Sequence, residues 1–137
     1  MKRAQELKAL SRDHHQGLVL AKRAMEAAQE YKPAKMVWAE VTMHFSEVLE
    51  PHFQIEEKTL VEPLRAAGET SLVDRLETEH AQLRDFFQPG QTRGYEELKA
   101  FGELLQAHIR FEERELFEVA QEKLSQEQLD EVEAACH

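Results

Sequence analysis

The chain has 137 residues, 17 basic and 27 acidic, with a formal net charge of −10 when histidine is neutral. That length favours one domain with a hydrophobic core of its own, and the acidic balance repels phosphate backbones, arguing against a nucleic-acid partner. At 42% hydrophobic and 32% charged, the chain is too apolar to be disordered and too charged to span a membrane. One cysteine, Cys136, leaves no internal disulfide framework and fits a reducing compartment. The start, Met-Lys-Arg-Ala-Gln-Glu, leads into no long apolar stretch, so neither signal peptide nor transmembrane helix is expected. The expected address is the cytoplasm.

Hydrophobic residues recur at helical spacing, and no segment alternates like a strand. A first helix is predicted from about Lys2 to Tyr31, on a stripe of Leu7, Leu10, Leu18, Ala21 and Met25. Pro33 opens a second, from about Ala34 to Ala67, on Val37, Val41, Phe45, Val48, Ile55 and Thr59. Pro51 should kink or divide it, because the ring clashes with the preceding turn, and Gly68 should cap its end. Ser71 is the expected N-cap of a third helix on Leu72, Leu76, Leu83 and Phe86 or Phe87. Pro89-Gly90 and Gly94 mark a loop, and a fourth helix runs from about Tyr95 to Lys123 on Leu98, Phe101, Leu105 and Leu116. Ser125 and Gln128 form a capping box for a short last helix, with Leu129 and Val132 facing inward. The expected fold is an all-α, up-down-up-down four-helix bundle over about residues 2–123, with a short extra C-terminal helix over about 126–136, as a single domain spanning 1–137.

Polar residues interrupt each stripe at one place. At about 100° per residue, Leu7, Leu10, His14, Leu18 and Ala21 share a face, whereas His15 points away. Phe45, Val48, His52, Glu56 and Thr59 align in the second helix, Leu76, His80, Leu83 and Phe87 in the third, and Phe101, Leu105, His108, Glu112 and Leu116 in the fourth. His52 with Glu56, and His108 with Glu112, are neighbours at the i, i+4 spacing. A single histidine on an apolar face is more often a hydrogen-bonded core residue than a ligand. Two buried glutamates without partners cost several kcal/mol or become neutral, so all six together call for cations. Imidazole with carboxylate and no thiolate suits iron, manganese or zinc. Six side chains exceed one tetrahedral zinc site and suit two metals, each taking two histidines, with both glutamates bridging.

These residues resemble the hemerythrin-like, or HHE cation-binding, family. The pattern is His14, then His52-x-x-x-Glu56, then His80, then His108-x-x-x-Glu112, running from about Leu7 to about Phe117. The resemblance implies a non-haem di-iron centre bridged by carboxylates and an oxo or hydroxo group. His14, His52, His80 and His108 would be terminal ligands, with Glu56 and Glu112 as bridges. Zinc, manganese or nickel are potential substitutes for the two irons. One departure stands out: oxygen-carrying hemerythrins place a histidine where this chain has Arg84, and an aspartate where it has Glu113. Lacking that histidine, the centre would have an extra coordination position for water, a gas, peroxide or a side chain.

Several residues compete for these roles. His15 replaces His14 if the helix rotates; Glu57 and Glu113 are fallbacks for their neighbours and are otherwise expected in solvent. His44 lies about 12 Å along the axis from His52, too far for one compact centre. Glu77-x-x-His80 has the ferritin-type spacing in a single copy. Cys136 and His137 are terminal, and the thiol is expected to be inert. Phe53, Phe111, Phe117 and the other phenylalanines are core by default and would keep a metal pair dry, while Tyr31 and Trp38 are expected to close one end of the bundle.

The functional expectation is a di-iron protein that binds oxygen or nitric oxide for sensing, storage or detoxification, a binding protein ahead of a catalyst. One alternative is a di-iron oxidoreductase acting on peroxide or nitric oxide, or in repair of iron centres. Another is a metal-free helical interaction module. A small diatomic ligand is the expected partner, with an external electron donor or signalling partner, no nucleic acid and no membrane; the chain leans to monomer.

Overall fold

The computed structural model describes residues 2–137. A 3-10 turn, Gln5–Leu7, leads into α1, Lys8–Glu30. The second rod comprises α2 (Ala34–His44), a π-helical turn (Phe45–Leu49), α3 (Glu50–Thr59) and α4 (Val61–Ala66). The third rod is α5, Thr70–Asp85. The fourth comprises α6 (Tyr95–Phe111), a second π-helical turn (Glu112–Leu116) and α7 (Phe117–Lys123), and α8 (Gln126–Ala135) follows it. No strand occurs among the described residues.

Contacts between the rods give their directions. Arg3 reaches Gln121, Gly17 faces Ile109, and Gly102 faces Met25 and Ala21, so the first and fourth rods are antiparallel. Asp13 with His52 and Arg23 with Glu40 order the first pair, Glu57 with His80 and Glu50 with Arg84 the second, Glu79 with His108 and Phe86 with Phe101 the third. This is the up-down-up-down bundle. Close approach of the first and fourth rods depends on two glycines. A Cβ on Gly17 would stand 2.7 Å from Ile109 Cδ1, and one on Gly102 would stand 2.7 Å from the Ala21 carbonyl oxygen.

Two prolines interrupt the second rod, and the bundle absorbs both. Pro51 has no N–H for the preceding turn. Just before it the ladder widens, the Glu50 N–H donating to the Phe45 carbonyl, and the chain continues as helix instead of bending away. Pro63 likewise leaves the Thr59 carbonyl without its usual helical partner, and α3 gives way to α4 at Leu60. The second π turn has no proline; there the Phe117 N–H donates to the Glu112 carbonyl.

The ends differ in part from expectation. Gly68, at φ +88°, closes α4 in the left-handed conformation that favours glycine, and the Glu69 N–H donates to the Leu64 carbonyl at 2.9 Å. Ser71 does not cap α5, which starts at Thr70 after Glu69 and has no side-chain cap. Ser125 and Gln128 do form the capping box of α8. Trp38 is buried, its indole N–H donating to the Gly94 carbonyl at 3.2 Å. Tyr31 is not part of that closure: it is 76% exposed and lies edge-on to Tyr95.

Two apolar cores fill the bundle. One gathers Val37, Trp38, Phe45, Leu49, Phe101 and Ile109 around the small residues of α1; the other joins Leu7, Leu10, Leu64, Leu76, Phe117 and the inner face of α8. Between them lies a layer of buried polar side chains.

Candidate metal centre

Helical phase decides which polar side chains enter that layer. His14 is buried and His15 is exposed, as a rotation of about 100° per residue requires. His52 with Glu56 and His108 with Glu112 enter as i, i+4 pairs, and His80 comes alone from α5. None of the six side-chain bearers is more than 3% exposed.

Their donor atoms converge in two groups that share both glutamates. His14, His52, Glu56 and Glu112 each offer an atom to one; Glu56, His80, His108 and Glu112 each offer an atom to the other, all within 4.8 Å of one another. Glu56 turns Oε2 to His52 Nε2 at 3.0 Å and Oε1 to His80 Nε2 at 3.1 Å. Glu112 turns Oε1 to His14 Nε2 at 2.6 Å and Oε2 to His108 Nε2 at 3.4 Å. Each carboxylate thus presents one oxygen to each half of the layer. His14 Nε2 and His52 Nε2 stand 3.1 Å apart, although two neutral imidazoles have at most one ring N–H each to give.

The other ring nitrogen of each of these four histidines meets a carboxylate from a neighbouring rod. His14 Nδ1 lies 2.6 Å from Glu113, His52 Nδ1 3.1 Å from Asp13, His80 Nδ1 2.7 Å from Glu57 and His108 Nδ1 2.7 Å from Glu79. The fourth rod holds the first, the first the second, the second the third, and the third the fourth. Each carboxylate accepts the Nδ1 proton, which orients the ring and turns Nε2 inward, where it becomes a lone pair once its own proton is lost. Glu57 and Glu113 were expected in solvent. Instead they are half-buried partners of His80 and His14, because the next rod closes over the angle at which a single helix shows them to water. Asp13 and Glu79 play the same part. The only signal for them is adjacency: an acidic residue stands directly beside a candidate ligand in Asp13-His14, Glu56-Glu57, Glu79-His80 and Glu112-Glu113.

Arg84 does not enter the layer. It donates from Nε and Nη2 to Glu50 at 2.7 and 2.8 Å, and from Nη1 and Nη2 to Glu57 at 2.8 and 3.1 Å. Phe53 stacks on His80 with ring centroids 4.0 Å apart, and Phe117 on His14 at 5.1 Å, so both faces of the layer are apolar. His44 belongs to neither group; it is half-buried, and burial pushes its pKa down. Glu77 is exposed and pairs with Arg65, so the ferritin-type spacing brings no second carboxylate inward. Cys136 is half-buried against the core that contains Leu7 and Phe117, and burial, then Asp13, push its thiol up.

The electrostatics show what the layer lacks. Burial opposes charge on every imidazole, yet the carboxylates outweigh it. Facing Glu112, His14 is raised and His108 is raised to about 10; beside Glu56 and Asp13, His52 rises well above the usual value. His80 is raised by Glu56 and Glu57. Burial would push Glu112 up, but His108 and His14 hold it well below the usual carboxylate range. In the bare protein, protons on imidazole thus provide the positive charge. Even so, Glu56 Oε2, Glu112 Oε2 and His108 Nε2 are buried without a hydrogen bond in proper geometry, a costly arrangement for polar atoms inside a protein. Inward-facing nitrogen and oxygen atoms, three of them without a hydrogen bond, fit a pair of cations that would take the place of the imidazole protons.

An antiparallel bundle with this interior is a helical cation-binding domain. The family model described as hemerythrin HHE cation binding domain matches residues 7–120, and the chain belongs to that family. No curated protein and no solved structure matches the chain. No helix among the described residues is long and apolar enough to cross a membrane.

Proposed function

We propose that this chain is a non-haem di-iron protein that binds a small diatomic molecule, oxygen or nitric oxide, for sensing, storage or detoxification. The observation that carries the reading is the split of the two carboxylates: each offers one oxygen to the His14/His52 half and the other to the His80/His108 half. Two cations side by side use that arrangement in full, with two imidazoles for each and both glutamates shared. Ligands of this kind, without thiolate, suit iron. Reduced iron held there would supply electron density to a diatomic ligand.

The chain's own residues would do the rest. Asp13, Glu57, Glu79 and Glu113 keep the rings in one orientation, so the donor set is formed before a cation arrives. Phe53 and Phe117 keep water from both faces. Arg84 is committed to Glu50 and Glu57, so it adds no ligand where the oxygen carriers have a histidine, and a coordination position would be left for a small molecule. An electron donor or signalling partner would come from outside.

Metal analysis of anaerobically purified protein is the first test. Two irons per chain are expected, and none in the Glu56→Gln, Glu112→Gln double variant. Oxygen added to the reduced protein should produce a charge-transfer absorption that disappears when the gas is removed. Oxidation without a reversible band would rule out carriage, and full retention of metal by the double variant would rule out the site.

A further inference from the structure

The two halves of the layer are held from outside by unequal means. On the His80/His108 half, both carboxylates that orient a ring are themselves gripped by an arginine. Arg84 binds Glu57 through Nη1 and Nη2 and fixes its own position by binding Glu50 through Nε and the same Nη2. Its guanidinium carbon also lies 5.5 Å over the Phe53 ring, the ring that stacks on His80. Arg75 Nε donates to Glu79 at 3.0 Å, and the guanidinium lies 4.0 Å over Phe111. On the other half only His14 has such backing, where Glu113 meets Arg3 at 3.3 Å and accepts from Ser11 at 2.8 Å. Asp13 is different. Its 3.1 Å contact with His52 is the longest of the four, and among the described residues no arginine or lysine pairs with it.

A bidentate guanidinium fixes a carboxylate in angle as well as position, whereas a carboxylate with no cationic partner has no such second hold. For a cation to leave, an imidazole must first turn away, and the ring with the loosest outer partner turns most readily. We propose that Arg84, acting through Glu57 on His80, is a positioning residue that makes the His80/His108 position slow to exchange its cation, and that the centre opens for exchange at the Asp13–His52 corner. The inference rests on the two-cation reading above. The residue that stands in place of a further histidine would thus strengthen an existing ligand from behind.

Cobalt(II) serves as the probe, since its visible absorption reports coordination directly. The metal-free full chain is loaded with cobalt, the bound equivalents are counted, and release to excess EDTA is followed. Two equivalents should bind and leave in two phases of equal amplitude, with rates separated by about tenfold or more. Arg84→Gln and Glu57→Gln should each speed only the slow phase, by about ten- to hundredfold. Asp13→Asn should speed only the fast one. Arg84→Lys should restore little of the slow phase, because an ammonium cannot span Glu50 and Glu57 in the same way. A purely structural Arg84 would lower the unfolding midpoint and leave the slow phase in place. Two equivalents released in a single phase, or a slow phase untouched in both Arg84→Gln and Glu57→Gln, overturns the inference while the two-cation reading stands. Binding of fewer than two equivalents overturns both.

Discussion

The polar layer and the apolar cores on either side of it are equally buried and physically opposite. In the cores, Phe101, Leu76 and their neighbours gain by leaving water and need only shape to fit. In the layer, His14, His52, Glu56, His80, His108 and Glu112 lose hydration and recover it only through charge. The cores make the bundle; the layer draws on that stability and returns a place for cations. The difference teaches that fold and site are separable in energy though interleaved in space, and substitutions should separate them.

The largest effect belongs to the cores. Phe101→Ala should cost about 3–5 kcal/mol in urea unfolding, with or without metal, because the cavity left behind adds to the lost burial. A much smaller loss would mean that the core around Phe101 is looser than its burial indicates. The layer should respond to pH instead. In metal-free protein the raised imidazoles stabilise the fold fully below their unfolded value of 6.5, and His108's share is lost as pH rises to about 10. Glu57, lowered to about 2 by His80 and Arg84 despite burial, stabilises above its unfolded value of 4.5 and loses this as pH falls toward 2. Urea midpoints of metal-free protein should therefore peak between about pH 4.5 and 6.5. Added cations should move the optimum upward, because neutral imidazole is the ligand. A metal-free optimum above pH 8 would contradict this account. The smallest effect lies outside both regions: Ser125→Ala should cost about 1 kcal/mol by removing the cap of α8, with cobalt stoichiometry unchanged.

Much of this contrast was legible in the sequence, because both regions obey helical phase. The i, i+4 pairs His52 with Glu56 and His108 with Glu112, set within apolar stripes, pointed to the layer before any coordinates. What lies beyond one helix was not legible. Glu57 and Glu113 look solvent-facing on their own rods, and only the neighbouring rod makes them partners of His80 and His14. The role of Arg84 was hidden for the same reason, since Glu50 and Glu57 reach it from another rod. Pro51 announced an interruption, but its form, a widened turn that leaves the rod continuous, depends on packing against the rest of the bundle. The matching turn at Glu112–Leu116 has no proline to announce it.

The rotation of carboxylate to imidazole around the bundle has a consequence for chain connectivity. Every rod both gives a hold and receives one, so with respect to the centre no rod is first or last. A circular permutant opened in the exposed stretch around Pro89-Gly90, with its original ends joined by a flexible tether, would keep all four holds within one molecule.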